Sequence, residues 1–494
     1  MRPTPDVVII GSGMGGASLA ASLAPTGADI LILERGHQIP DDAPARDPDR
    51  IYRNSAFRSD ETWLDETGTP FSPGNYYNVG GNTKLYGAVL YRYRRQDFQA
   101  MEHLGGISPA WPFPYETLAP YYDAAEQLYQ VRGDITEDGT EPPHAGPYPF
   151  PAIPDEPALA TVRRRLEKAG LHPAALPLGV DLDRWLSHGN DGWDGYPDTR
   201  SGKMDAETCG LATALSHDNV RLETGARVTG LTAAPDGRRI TGVTYEQAGE
   251  TITLKPRIVA LAAGAVQSAA LLLKSGLANS SGAVGRHFMN HNATAMIAYD
   301  PRFLNDAVYQ KTFAINDWYL SDGDNGPPLG NVQLLGRVVP RILKATTPSM
   351  PMALANHLSR HAVDFYAISE DLPDPESRVV LNGGDIQLLW RRSNMEAHCR
   401  LVKRMKQALR RAGFPVVLSR LFDGRVPSHQ CGTTRLGNDP ATAVLDPDCR
   451  SFDHENLFVT DAAALPTSAA VNPSLTVAAL ALKAGDAIKR ELAS

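Results

Sequence analysis

Cysteine is scarce in this chain of 494 residues: the four present, Cys209, Cys399, Cys431 and Cys449, are widely spaced and form no C-x-x-C pair. That spacing suits neither a zinc site nor a disulfide framework, so no metal is expected and the cysteines read as buried free thiols. Positive charge is in deficit, with 48 Lys and Arg against 56 Asp and Glu and a formal net charge of -8. Proteins that grip a phosphate backbone carry a basic face, which removes nucleic acid from the expected partners. Long apolar runs are missing as well. The two most apolar stretches, Ile258 to Leu273 and the one after Val459, are broken by Gln267, Ser268, Pro466, Asn472 and Pro473, and neither resembles a membrane-spanning helix. The opening residues Met1 to Asp6 lead straight into a strand, without a charged and then apolar leader. Cytoplasmic residence with no membrane partner is the expectation.

What is present begins at Asp6-Val7-Val8-Ile9-Ile10, a β-branched run of the kind buried in a parallel sheet, followed at once by Gly11-Ser12-Gly13-Met14-Gly15-Gly16. This is G-x-G-x-x-G after a strand. Small and apolar residues from Ala17 to Leu23 then predict a helix whose first N–H groups can face a pyrophosphate, and a second strand at Asp29 to Leu33 ends at Glu34, placed to accept from a ribose 2′-OH, with Arg35 beside it. The unit predicts a dinucleotide site with contacts from Gly11, Gly13, Met14, Gly16, Glu34 and Arg35, and by itself leaves FAD and NAD equally open. At 42% hydrophobic residues, the chain exceeds the ~250 to 300 residues at which single cores stop growing, so two intertwined domains are expected.

Two further segments suit a flat ligand. Tyr77 to Gly87 places Gly80 and Gly81 beside Asn82 and Thr83, and Asn456 to Ala463 reads as a strand ending in Asp461 and Ala462, with Asn472-Pro473-Ser474-Leu475-Thr476 opening an Ala/Leu-rich helix. Taken with Gly264 to Leu277, Val284 to His291, Gly225 to Val228 and His429-Gln430-Cys431-Gly432-Thr433, the chain resembles the glucose-methanol-choline (GMC) oxidoreductases. The resemblance covers the N-terminus, the middle and the C-terminus.

That family implies an α/β fold in which a Rossmann-like FAD-binding domain is interleaved with an α+β substrate-binding domain containing a mostly antiparallel sheet. The implied boundaries are 1–100, 205–292 and 421–494 for FAD, and 101–204 with 293–420 for substrate and surface excursions. It implies FAD contacts at Gly80, Gly81, Asn82, Thr83, Val228, Ala263, Asp461, Ala462, Asn472, Pro473, Ser474 and Thr476. His429 would remove the hydroxyl proton of an alcohol, a task suited to an imidazole, Asn472 would hold the hydroxyl oxygen, and the hydride would pass to flavin N5. Within the family, Asp97-Phe98, Trp111 to Tyr122 and Asp194 to Pro197 resemble a bacterial branch acting on sugars, of the pyranose oxidase or C-glycoside 3-oxidase kind. The implied substrate is a sugar or glycoside, oxidised at a secondary alcohol to a 3-keto sugar, with O2 as acceptor giving H2O2. A dehydrogenase using a quinone or other acceptor, and more remotely a lyase keeping FAD as scaffold, stay open. Leu85 stands where fungal pyranose oxidases place the His that bonds the flavin, so non-covalent FAD is expected. His287 and His291 read as structural. The loop Asn305 to Gly330 reads as a substrate lid or a solvated loop, Asp134 to Pro157 as a surface excursion, and nothing in the sequence sets an oligomeric state.

Overall fold

The computed structural model of the protein describes residues 4–189, 193–197, 202–422 and 429–493. Three runs, Val7–Ile10, Ile30–Leu33 and Ile258–Leu261, are buried along their whole length. Apolar on both sides, they belong inside a parallel sheet covered on both faces. The sheet runs in the order Val220–Glu223, Ile30–Leu33, Val7–Ile10, Ile258–Leu261, Leu457–Val459, every pair parallel. Strands that follow Val7–Ile10 lie on both sides of it, so the order switches at its C-terminal end, where open α/β sheets bind ligands. The Met14–Leu23 helix starts there, and the 20-residue helix Ser474–Ala493 packs against it.

A second sheet, antiparallel throughout, takes the order Val416–Leu421, Asn292–Tyr299, Ala362–Ser369, Asn331–Leu334, Phe313–Ile315, Pro173–Ala175. The Met395–Arg411 helix covers one face, burying Ala397, Leu401, Met405, Ala408 and Leu409 against Val332, Leu334, Val363, Phe365 and Ala367. Because side chains alternate along a strand, Gln333 and Tyr366, which pair across two strands of this sheet, turn to the opposite face. A further strand, Asp385–Leu389, pairs antiparallel with Arg378–Asn382.

Several expectations are corrected. The Tyr115–Leu128 helix, placed by sequence with the substrate region, lies along Ser474–Ala493, where Tyr122 Oη and Thr476 Oγ1 are 2.8 Å apart. Asp134 to Pro157 is no mere surface excursion, because its Asp138 carboxylate meets the fully buried Arg94 at 2.6 Å and fixes it. The Asn305 to Gly330 stretch is neither lid nor solvated loop in its first half: Gln310, Lys311 and Thr312 are buried and lead into the Phe313–Ile315 strand. Cys399 is exposed, whereas Cys209, Cys431 and Cys449 are buried, all four as free thiols. Among the described residues no helix is long and apolar enough to cross a membrane.

Candidate active site

A cavity of about 970 Å³ opens at the switch point and runs from the glycine turn to the bare face of the antiparallel sheet. The glycines of the turn divide by what a side chain would meet. At Gly15 a Cβ would lie 1.9 Å from the Thr460 carbonyl oxygen, and at Gly16 2.1 Å from that of Gly11. Those two glycines let the helix press against its neighbours. Gly13 has an ordinary φ of -72° and nothing within 4 Å of its would-be Cβ, which faces the cavity. That free volume beside a helix N-terminus is what a pyrophosphate needs.

Glu34, directly after its strand, is buried at the cavity wall. Its carboxylate accepts from Ser12 N (3.1 Å), Ser12 Oγ (2.6 Å) and Gly36 N (2.9 Å), so it braces the glycine turn as well as edging the cavity. Burial raises its pKa. Arg35 stacks on Tyr77, 3.8 Å from the ring centroid. Asp461 accepts from Gly264 N, Ser268 Oγ and Ala463 N at 2.9, 2.6 and 2.8 Å, tying the start of the Ala265–Ser275 helix to the last strand of the sheet.

Of the remaining expected contacts, Gly11, Met14, Gly81, Asn82, Thr83, Val228, Ala263, Ala462, Asn472, Pro473 and Ser474 all line the cavity. Gly16, Gly80 and Thr476 do not. Gly16 is filled by backbone, Gly80 turns at φ +84° against Lys84, and the Thr476 hydroxyl points to Tyr122. At each of the three, the neighbouring contact is with protein rather than open space.

At the far end of the cavity, an antiparallel bridge between Met289 and Cys431, with both N···O distances 3.0 Å, sets the segment ending at His291 beside the one starting at His429. His429 has φ +66°, a left-handed conformation that costs a non-glycine residue about 1 to 3 kcal/mol and persists where surroundings enforce it. Here Gly432 N donates to Ala462 O at 3.1 Å and Thr434 N to Ala463 O at 2.9 Å, pinning the chain that follows.

The hydrogen bonds then assign the protons. His291 Nε2 lies 2.9 and 3.0 Å from the carbonyl oxygens of Ser468 and Ala469, which only accept, so Nε2 carries the hydrogen. Burial depresses the His291 pKa and keeps the ring neutral, leaving Nδ1 as an acceptor. That atom is 2.7 Å from His429 Nδ1, which must donate. The lone pair of His429 therefore sits on Nε2, 3.3 Å from Asn472 Nδ2. Burial, with His291 and Lys311 nearby, holds the His429 pKa well below the usual imidazole range, so the base is unprotonated at neutral pH. Asn472 Oδ1 is buried without a partner among the described residues. In the sequence His291 reads as structural, on its place at the end of the Val284 to His291 segment.

A nucleotide crevice that continues into a chamber with a neutral base beside an amide, under an antiparallel sheet, defines a flavin-dependent alcohol oxidoreductase. Comparison with known proteins gives the family: residues 76–293 and 369–481 match the two GMC oxidoreductase profiles, and residues 9–43 match an NAD(P)-binding Rossmann-like domain. The chain belongs to the GMC oxidoreductases, and it is an FAD-dependent enzyme acting on CH–OH donors. Among its relatives, 6'''-hydroxyparomomycin C oxidase of Streptomyces lividus is 29% identical over 99% of this chain and 92% of its own length. The fructose dehydrogenase large subunit of Gluconobacter japonicus is 26% identical over 99% and 98%. The crystal structure of pyridoxine 4-oxidase from Mesorbium loti shares the fold, with a TM-score of 0.68 at 19% identity, covering 98% of this chain and 99% of its own.

The residues present fit FAD: open space at Gly13 and two helix N-termini converge on one elongated cavity. Leu85 lines that cavity and has no atom able to form a covalent link to a flavin. Acid precipitation of the yellow protein is accordingly expected to leave all the flavin in the supernatant. Colour retained in the pellet would show a covalent link elsewhere.

Proposed function

We propose that this enzyme oxidises a secondary alcohol of a sugar or glycoside, at C3 of a pyranose ring, to the 3-keto sugar, in the cytoplasm, with O2 as acceptor and H2O2 as second product. The observation that carries the reading is the placement of the His429 Nε2 lone pair 3.3 Å from the Asn472 amide. A carbinol O–H between them donates to Nε2 and accepts from Nδ2. This orients the C–H and lets the proton leave as the carbonyl forms, the kind of positioning and general-base help an enzyme supplies to such a reaction. FAD, when bound, supplies the hydride acceptor. Two electrons and two protons leave the alcohol, and O2 takes up the same number. The sugar assignment is supported by the resemblance of Asp97-Phe98 and Trp111 to Tyr122 to sugar-oxidising members, and by relatives named for an aminoglycoside and for fructose. The free cysteines accord with a reducing compartment.

A second reading, a dehydrogenase passing its electrons to a quinone or protein, is favoured by the fructose dehydrogenase relative. Stopped-flow mixing of the substrate-reduced enzyme with O2 separates the two. Reoxidation that keeps pace with turnover is the expected result, and reoxidation far slower than turnover with an artificial acceptor contradicts the oxidase.

His291 acts through His429 in this reading, as a positioning residue. Its two carbonyl partners fix one tautomer, which fixes the next. His291→Leu is expected to slow flavin reduction about 10-fold or more with FAD content unchanged. His291→Asn, which still offers an acceptor, should recover part of the loss. Equal losses in both variants would mean that His291 only fills space.

A further inference from the structure

The cavity lining also carries an ion pair that takes no part in the hydrogen bonds described so far. Lys311 Nζ is 2.7 Å from Asp194 Oδ2 and 2.9 Å from the Gly87 carbonyl oxygen. Both charged side chains are about 3% exposed, and both line the cavity. A buried pair of this kind adds little stability, because desolvation offsets the attraction. The Lys311 cation also lowers the basicity of His429. These two costs call for an occupant that makes use of the pair. The same wall carries Gln333, 2% exposed, whose Oε1 has no partner among the described residues. Strand alternation turns it away from the helix-covered core and toward the cavity. An orphaned buried carbonyl costs about 1 to 3 kcal/mol unless a ligand satisfies it.

We propose that Lys311, Asp194 and Gln333 form a hydroxyl-recognising wall for a neutral, polyhydroxylated ring whose reacting carbinol lies at His429 and Asn472. The inference rests on the sugar reading above and adds the residues that select the sugar. The donor and acceptor count matches. Lys311 has three N–H groups and spends two on Asp194 and Gly87, leaving one to donate to a ring hydroxyl oxygen. Asp194 keeps a second carboxylate oxygen, against Gly336, and with Gln333 Oε1 can accept from ring hydroxyls. Neighbouring hydroxyls that each donate once and accept once fit such a mixed wall. A simple aliphatic alcohol leaves its polar groups unpaired, and sites built this way reject substrates that lack the hydroxyl.

The test uses the FAD-loaded enzyme, its Lys311→Met and Gln333→Leu variants, methyl β-D-glucopyranoside and the set of its monodeoxy analogues. Anaerobic flavin reduction gives the rate, and perturbation of the oxidised flavin spectrum by the deoxy analogue lacking the reacting hydroxyl gives a Kd independent of chemistry. In the wild type, removing a hydroxyl that meets the wall is expected to lower kcat/KM by about 100-fold or more. Each variant should lose a comparable factor toward the parent glucoside, weaken Kd, and no longer discriminate against that deoxy analogue. Gln333→Leu leaves the ion pair intact, so it decides the matter if Lys311→Met folds poorly. A glucoside that reduces wild type and Gln333→Leu alike, with the deoxy penalty unchanged, overturns the wall and spares the sugar reading. A glucoside that reduces no form overturns both.

Discussion

Replacing His429 by Ala leaves the protein yellow and slows anaerobic flavin reduction by about 100-fold or more, the usual worth of a positioned base. The expectation follows from the proton assignment. Among the described residues, His429 Nε2 offers a neutral lone pair beside Asn472, and its depressed pKa keeps that lone pair available at neutral pH. Loss is therefore expected in the chemical step, since Glu34 and Asp461 hold the cradle through Ser12, Gly36 and Gly264. The backbone at this position has φ +66°, which Asn tolerates better than Ala. His429→Asn serves as the companion variant, expected to keep FAD and to show the same large loss. Flavin content would fall in both variants if His429 were a structural residue, and reduction at the wild-type rate would remove it from the reaction.

Gly13→Val abolishes FAD binding while leaving the fold in place. The backbone there is compatible with any L-residue, and the new side chain meets no protein atom within 4 Å of its Cβ. The space it takes is the space offered to the pyrophosphate. The variant is expected to be folded and colourless, with a melting temperature matching that of wild type stripped of its cofactor, because the stabilisation lost is the binding free energy of FAD. Gly15→Ala makes the contrast: its Cβ would lie 1.9 Å from the Thr460 oxygen, so it should lose fold and colour together. Circular dichroism with absorbance at 450 nm reads both. A yellow Gly13→Val protein would undo the assignment of the cradle.

The parts of this molecule that were legible in the sequence are those whose chemistry is local. Val7 to Glu34 announces strand, turn, helix, strand and acid in one stretch, and all of them occur in register. His429 and Asn472 were legible through the motif around each, and the structure brings them within 3.3 Å. Gly16, Gly80 and Thr476 lie off the cavity lining, since a motif does not say which of its members face the ligand and which hold the backbone. His291 read as structural for a different reason. Its role depends on a neighbour 138 residues away and on the carbonyls of Ser468 and Ala469, a relation that only tertiary folding creates. Lys311 was hidden in what read as a loop, and its place in the wall depends on Asp194, far upstream. The packing of the Tyr115–Leu128 helix on Ser474–Ala493 was hidden because its partner lies at the opposite end of the chain.

The most direct test of the account is anaerobic reduction of the bound flavin, followed at 450 nm, by a panel of free pyranoses, O- and C-glycosides, polyols, choline and aliphatic alcohols, with air then admitted and peroxide assayed. Bleaching by the pyranoses or glycosides, with stoichiometric peroxide on reoxidation and a ring ketone in the product by NMR, is the predicted result. Bleaching by choline or simple alcohols with none by any sugar would contradict it.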